Sequence, residues 1–198
     1  MAQQATDTET PNARLCRITR VHRDADMLIP KTYWSDGKGC SVGCINHTDG
    51  RTPNDHAGLA AAYYGDQEWL AQLQDSVFEG LPVEAARDWH VNVADAVADR
   101  TAPWPIILHR VHAAVLDIAH ETAGSAAPAV ERVRALHQRA AVGEAVGDDE
   151  WSAAESAAWI AARSAARSAA WSAAWSAAWT RIAAATIASI TSPYVEAA

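Results

Sequence analysis

The sequence has little positive charge and no long apolar run. Its 198 residues include 16 Lys and Arg against 24 Asp and Glu, which gives a formal net charge of −8. A protein that coats nucleic acid without sequence preference needs a basic surface, so this class is disfavoured. No apolar run approaches the roughly 20 residues that cross a bilayer, so no membrane association is expected.

Cysteine is also scarce, and its number is odd. The chain has three, Cys16, Cys40 and Cys44, and its first dozen residues are polar and acidic. Because no secretory signal is visible and the thiols cannot all pair, the sequence predicts reduced cysteines and a cytoplasmic location. The leader, residues 1–12, has almost nothing to bury and is predicted to be disordered.

Familiar catalytic motifs are missing. The sequence contains no GxSxG elbow, no Walker loop, no dinucleotide-binding fingerprint and no His-Glu-x-x-His pattern. Each of these motifs places reactive groups for a known chemistry. The common enzyme classes therefore gain no direct support.

Glycine and proline mark the ends of predicted helices between residues 53 and 147. Glycine commonly ends a helix, and proline is favoured in its first turn. Asp66 is the expected N-cap of the second of these helices. The predicted helices cover about residues 54–64, 66–79, 82–99, 105–123 and 128–142.

The region before these helices is predicted to be irregular. Residues 14–33 are expected to be strand or irregular structure, and residues 35–52 a loop rich in Gly and Asp that contains Cys40 and Cys44. The sequence thus predicts a mainly α protein in which residues 13–198 form a single multi-helix domain. This domain has a Gly/Cys-rich N-terminal loop and a long Ala/Trp-rich C-terminal helix.

The C-terminal part is built on a four-residue repeat. From Trp151 to Trp179 every fourth residue is Trp, Glu or Arg, mostly separated by Ser-Ala-Ala, and no Gly or Pro occurs from Glu150 to Ser192. Alanine is the best helix former. One long helix over residues 148–192 is therefore predicted, either protruding or bent near Trp179, where the repeat ends. Uninterrupted, its stretch of about 40 residues without Gly or Pro would be about 60 Å long.

The repeat also divides its tryptophans into two groups. A step of four residues rotates by about 40° around a helix at each repeat, so Trp151 and Trp159 lie opposite to the later three. The array is either a core that packs against other helices, a ligand or partner surface, or a core completed by a homo-oligomer. The candidate residues for a protein partner or a small anionic ligand such as a nucleotide are Arg163, Arg167, Trp171 and Trp175.

Two cysteines and two histidines lie close together in the N-terminal region. Cys40, Cys44, His47 and His56 follow the spacing Cys-x3-Cys-x2-His-x8-His. Thiolates and imidazoles in a small loop are typical ligands of structural zinc sites, so these four are candidate Zn²⁺ ligands. Two alternatives stay open: plain reduced cysteines in a tight turn, or a nucleophilic cysteine with a histidine as its base.

A stripe of histidines lies on the fourth predicted helix. His109, His112 and His120 fall within about 80° of arc, away from the main apolar face, with Asp117 and Glu121 beside them. They are expected either to be solvated or to line a polar pocket as metal ligands or general bases. If the protein is an enzyme, the candidate catalytic residues are Cys40, Cys44, His109 and His112.

Two segments resemble a known group of sequences. They are Gly39-Cys40-Ser41-Val42-Gly43-Cys44 with His47, and Glu68-Trp69-Leu70-Ala71-Gln72-Leu73 through Phe78-Glu79-Gly80-Leu81-Pro82 followed by Trp89. With the Ala-rich tail they are similar to an uncharacterised, immunity-protein-like family of small helical proteins from phages, prophages and some bacteria. The resemblance implies a role in mobile-element biology and host conflict, and it carries no catalytic assignment.

These observations favour a non-enzymatic protein of phage or mobile-element type that binds and sequesters a partner and so modulates host defence. One alternative is a small cysteine- or zinc-dependent hydrolase or transferase. A second is a nucleotide-binding sponge that uses Arg163 and Arg167.

Overall fold

The computed structural model describes residues 9–154 and 173–194 of the chain. Secondary structure in these ranges consists of helices, together with isolated β-bridges such as the one between Leu28 and Gly39. The predicted mainly α fold class is therefore confirmed. None of the helices in this part of the chain is long and apolar enough to cross a membrane.

The helices divide into two compact units, one that ends at Asp99 and one that begins at Arg100. The N-terminal unit contains α1 (Pro11–Asp24), α2 (Ser41–Thr48), α3 (His56–Tyr63), α4 (Glu68–Gly80) and α5 (Val83–Ala98). The C-terminal unit contains α6 (Trp104–His120), a 3-10 turn (Gly124–Ala126), α7 (Ala127–Ala141), α8, described over residues 148–154, and α9 (Ala173–Thr191). The sequence pattern does not indicate this division.

Helix α1 occupies the first part of a region predicted to be strand or irregular, so that prediction is wrong for residues 14–24, while residues 25–33 are irregular as expected. Thr10 caps the helix, because its Oγ1 accepts a 3.2 Å hydrogen bond from the Ala13 N–H. The buried positions follow helical spacing and are Leu15, Ile18, Thr19 and His22. Two of these four side chains are polar. The spacing of the apolar residues alone therefore does not show the helical period. The predicted disordered leader overlaps the start of α1, and its residues 1–8 lie outside the described ranges.

Helix α2 lies inside the predicted Gly-rich loop, which corrects the expectation for residues 35–52. Cys40 is its N-cap, with Sγ accepting a 3.4 Å hydrogen bond from the Gly43 N–H. Gly43 is needed for close packing and not for a turn, because a Cβ there would lie 1.6 Å from the Tyr33 carbonyl oxygen. A glycine inside a short helix is easily taken for a loop residue.

The next five helices, α3 to α7, lie close to where glycine and proline predict them. One detail differs, because the N-cap residue of α4 is Gln67 and not Asp66. Asp66 instead adopts a left-handed conformation with φ of 63° in the turn after α3. An aspartate tolerates this conformation better than most residues do, so the side chain serves a turn and not a helix cap.

The N-terminal unit has a continuous apolar core. Helix α1 packs against α5 and α2, while α4 packs against α2, α3 and α5. Large side chains that are completely removed from solvent include Leu15, Leu28, Ile45, Leu59, Leu70 and Phe78. This packing fixes the first residues of α2 against the side of α4.

In the C-terminal unit, α6 packs against both α7 and α9. Arg110 donates a 2.9 Å hydrogen bond to the carbonyl of Ser192, and Arg181 pairs with Glu121 at 2.6 Å. Arg110 lies in the first half of α6 and contacts the residue that follows α9. Glu121 follows the end of α6 and contacts Arg181, nearer the start of α9. These two helices therefore run antiparallel.

The repeat region is described only at its two ends, in α8 and α9. The prediction of one long helix over residues 148–192 therefore falls partly outside the described residues. The same holds for the ligand candidates Arg163, Arg167 and Trp171, and for the side chain of Trp175. Trp151 and Trp179 are both half-buried, which agrees with a packing role for these two rings.

Candidate metal centre

Cys40, Asp75 and Glu79 bring a thiol and two carboxylates together in the N-terminal unit. Their ligand atoms all lie within 4.8 Å of one another. Asp75 and Glu79 are four residues apart on α4 and therefore project from the same face. Cys40 reaches that face from the start of α2 and is buried, while the carboxylates are half-buried.

Asp75 is held by three hydrogen-bond donors from different segments. The Cys40 thiol donates to Oδ1 at 3.3 Å, and the Tyr33 hydroxyl donates to Oδ2 at 3.0 Å. His56, the first residue of α3, places Nε2 3.1 Å from the same Oδ2, so this nitrogen carries the proton. These contacts fix the orientation of the carboxylate.

Glu79 is positioned by the main chain. Its Oε2 accepts a 2.7 Å hydrogen bond from the Lys31 backbone N–H, and Lys31 adopts a left-handed φ of 64°. Burial raises the pKa of Glu79, and the Lys31 amide partly offsets this effect. The second carboxylate is thus held by a turn that precedes α2.

The Cys40 thiol is protonated in this environment. Burial raises its pKa far above the usual range, and the neighbouring Asp75 carboxylate raises it further. A divalent cation reverses this balance, because it favours the thiolate and neutralises the carboxylates.

Two of the four sequence-predicted metal ligands meet at this centre, and two do not. Cys40 is a member, and His56 contacts the centre through Asp75. Cys44 directs its thiol to the carbonyls of Gly39 and Met27, at 3.4 and 3.6 Å. Burial raises the pKa of Cys44 to about 12.

His47, the fourth predicted ligand, lies apart from the centre. Its ring stacks on Trp34 with a centroid separation of 3.8 Å and an interplanar angle of 15°. Asp75 and Glu79 are not recognisable as ligands in the sequence, because carboxylates four residues apart are common on exposed helix faces. Only the packing of α2 against α4 distinguishes this pair.

The predicted catalytic residues belong to different units. Cys40 and Cys44 are in the N-terminal unit, whereas His109 and His112 are in the C-terminal unit, where both contact His137. His120, on the same helix, is exposed.

A second buried polar group in the N-terminal unit forms a chain of hydrogen bonds. The Gln74 amide donates to Ser41 Oγ at 2.6 Å, and Ser41 Oγ lies 2.8 Å from His90 Nδ1. His90 Nε2 is hydrogen-bonded to His22 Nδ1 at 3.2 Å, and His22 Nε2 to Thr48 Oγ1 at 2.8 Å. Burial lowers the pKa of His22 to about 4 and that of His90 well below its usual value. Both imidazoles are therefore neutral.

Comparison of the chain with family models, with curated proteins and with solved structures found no match. One thiolate with two carboxylates is a donor set that zinc accepts, and the sulfur disfavours Mg²⁺ and Ca²⁺, which prefer oxygen alone.

Proposed function

We propose that this protein is a zinc-binding helical protein whose N-terminal unit holds Zn²⁺ through Cys40, Asp75 and Glu79, and that it acts by binding a partner without turnover. The observation that carries the proposal is the convergence of these three ligand atoms within 4.8 Å. The three donors are those that protein zinc sites use, and a solvent molecule completes four-coordination.

The proposed ion has a structural effect. It joins the start of α2 to the side of α4, two segments that are separated by 35 residues between Cys40 and Asp75. Since the ligand set forms only in the folded unit, free energy of zinc binding contributes to folding. At a free zinc concentration of about 100 times Kd, the expected gain is about 2.7 kcal/mol.

The geometry gives less support to a cysteine hydrolase. A catalytic thiol is activated by an imidazole that accepts its proton. Here the Cys40 thiol faces a carboxylate, and the nearby His56 directs its proton-bearing Nε2 to that same carboxylate. Both buried thiols have raised pKa values, which disfavours the thiolate nucleophile.

The partner is proposed on the sequence resemblance alone. A protein that is sequestered in a phage or mobile-element setting is the leading class. A small anionic ligand bound by Arg163 and Arg167 is the second, and both arginines lie outside the described residues.

The test is the zinc content of the purified full-length chain after equilibrium dialysis, measured by mass spectrometry of the metal. The wild-type chain is expected to hold about one zinc ion, and Cys40→Ser, Asp75→Asn and Glu79→Gln to hold at least tenfold less at limiting zinc. Serine still accepts the Gly43 N–H at the N-cap, so Cys40→Ser removes the soft ligand and keeps the cap.

Cys44→Ser is the matched control, because it removes another buried thiol from the same helix. It is expected to keep its zinc. A wild-type chain without zinc, or equal zinc in Cys40→Ser and Cys44→Ser, contradicts the proposal.

A further inference from the structure

Two neighbouring contacts join the start of α2 to the side of α4. Cys40 and Ser41 are adjacent in the first contact surface, and Gln74 and Asp75 are adjacent in the second. The outer contact is the 3.3 Å hydrogen bond from the Cys40 thiol to Asp75, and the inner contact is a 2.6 Å hydrogen bond from Gln74 Nε2 to Ser41 Oγ. Asp75 is half-buried, whereas Ser41 and Gln74 are completely buried. The inner contact therefore lies in the core, one residue away from each of these two candidate ligands.

The side chain of Gln74 is fixed at both ends of its amide. Its Oε1 accepts a hydrogen bond from the Tyr64 hydroxyl, while its Nε2 donates to Ser41. The main-chain carbonyl of Gln74 also accepts a 3.0 Å hydrogen bond from Trp89 Nε1. Another orientation of the amide would leave buried polar groups without partners, which is costly in a protein core. Gln74 therefore presents its donor to Ser41 from one defined position.

The inner contact is part of a buried chain that involves every helix of the N-terminal unit. Ser41 Oγ on α2 lies 2.8 Å from His90 Nδ1 on α5, and His90 Nε2 lies 3.2 Å from His22 Nδ1 on α1. At the other end, Tyr64 is the C-cap residue of α3 and contacts Gln74 on α4. A displacement of Ser41 relative to Gln74 would disturb hydrogen bonds to several helices at once, so the network restricts the movement of α2 along α4.

Ser41 is also the central residue of a G-x-S-x-G spacing, Gly39-Cys40-Ser41-Val42-Gly43. In the hydrolases that use this spacing, the serine lies on a strained turn with its hydroxyl exposed. Here Ser41 is completely buried, begins a regular helix and has no positive φ. The segment thus has the spacing of a nucleophile elbow without its geometry, and the hydroxyl serves contacts within the core.

We propose that Ser41 and Gln74 are positioning residues for the metal centre, because their hydrogen bond holds Cys40 next to Asp75 before the ion binds. This inference rests on the proposed zinc site. The outer contact alone is a poor brace, since a thiol is a weak hydrogen-bond donor. Partners that orient metal ligands commonly contribute about 10- to 100-fold to metal affinity.

The test is the zinc affinity of the full-length chain, measured by competition with a chelator of known Kd where circular dichroism shows every variant to be folded. Ser41→Ala and Gln74→Leu each remove the inner contact, and both are expected to weaken zinc binding at least tenfold. With Co²⁺ in place of zinc, the charge-transfer absorption from the Cys40 thiolate should be weaker in these two variants at equal metal concentration. Because only folded chains are compared, a general loss of stability does not account for such changes.

Tyr64→Phe is the matched control, because it removes a hydrogen bond from the other end of the Gln74 amide and leaves the contact with Ser41. It is expected to lower the free energy of unfolding and to bind zinc like the wild type. Ser41→Ala removes a single oxygen atom, so it decides the outcome if Gln74→Leu does not fold.

Wild-type zinc affinity in Ser41→Ala, or a loss no larger than in Tyr64→Phe, overturns the positioning role and leaves the zinc site standing. A wild-type chain that binds no zinc overturns both.

Discussion

The Cys40 thiol donates a 3.3 Å hydrogen bond to Oδ1 of Asp75, a residue 35 positions later in the chain. The contact brings the N-cap of α2 to the side of α4. It places a thiol, which is a soft donor for metal ions, next to a carboxylate, which is a hard one. A carboxylate neighbour keeps the thiol protonated in the absence of a cation, whereas an imidazole neighbour would activate it. This pairing therefore favours metal binding over nucleophilic catalysis.

Alkylation of the native, metal-free chain distinguishes these two roles. Cys16 is half-buried, whereas Cys40 and Cys44 are buried. We expect iodoacetamide at neutral pH to modify Cys16 at least tenfold faster than the other two, because buried protonated thiols react slowly. Peptide mass spectrometry measures the rates, and denaturant should make all three similar. Rapid modification of Cys40 in the native chain would favour the enzyme alternative.

The hydrogen bonds to Asp75 predict a positioning role for His56. His56→Asn removes the 3.1 Å contact to Oδ2 and is expected to weaken zinc binding about tenfold, because partners of metal ligands orient them. The affinity is measured by competition with a chelator of known Kd. His47→Asn is the control, since His47 stacks on Trp34. If His47→Asn weakens binding more than His56→Asn, the sequence-predicted ligand set is favoured instead.

Gly43→Ala tests the close contact between α2 and the preceding turn. Helix propensity alone would make alanine more stable by about 1 kcal/mol. The new Cβ would lie 1.6 Å from the Tyr33 carbonyl oxygen, so we expect a loss of about 3 kcal/mol in the free energy of unfolding. Gly147→Ala, where the nearest atom is 3.8 Å away, should change stability little in the same denaturant experiment. A more stable Gly43→Ala chain would contradict the described packing.

The buried His22–His90 pair predicts a loss of stability in acid. His22 has a folded-state pKa of about 4, below the value of about 6.5 in an unfolded chain. The contribution of neutral His22 to the free energy of unfolding is fully present above about pH 6.5. It is lost between about pH 6.5 and 4, because the unfolded state takes up a proton there and the folded state does not. The loss from His22 is about 3 kcal/mol over this range.

His22→Gln isolates this effect, because glutamine can donate to Thr48 and accept from His90 without titrating. We expect the free energy of unfolding of this variant to fall less steeply between pH 6.5 and 4 than that of the wild type. His120→Gln, at an exposed position, should retain the wild-type slope. Identical slopes in His22→Gln and the wild type would show that His22 does not titrate as described.

Much of the helical architecture is predictable from local sequence signals. Pro105 and Pro128 lie in the first turns of α6 and α7, where the absent N–H of proline costs nothing. Helix α1 was not predictable from apolar periodicity, because Thr19 and His22 occupy buried positions through hydrogen bonds. Helix α2 was not predictable because Gly43 is typical of a loop. This glycine is required by close packing against the Tyr33 carbonyl, which is distant in the sequence.

The candidate centre was predictable only in part, since its ligands come from two segments. Cys40 and His56 belong to a local pattern that is typical of metal sites, and both lie at or beside the centre. Asp75 and Glu79 enter it through the packing of α2 against α4. No local spacing predicts that contact, because it depends on the complete core of the N-terminal unit.

X-ray absorption at the zinc edge tests the ligand set most directly. For the zinc-loaded full-length chain, we predict one sulfur at about 2.3 Å and two or three oxygen ligands at about 2.0–2.2 Å. The sulfur should disappear in Cys40→Ser and remain in Cys44→Ser. Two sulfur ligands in the wild type would instead indicate binding by both Cys40 and Cys44, and a spectrum without sulfur would contradict the proposed centre.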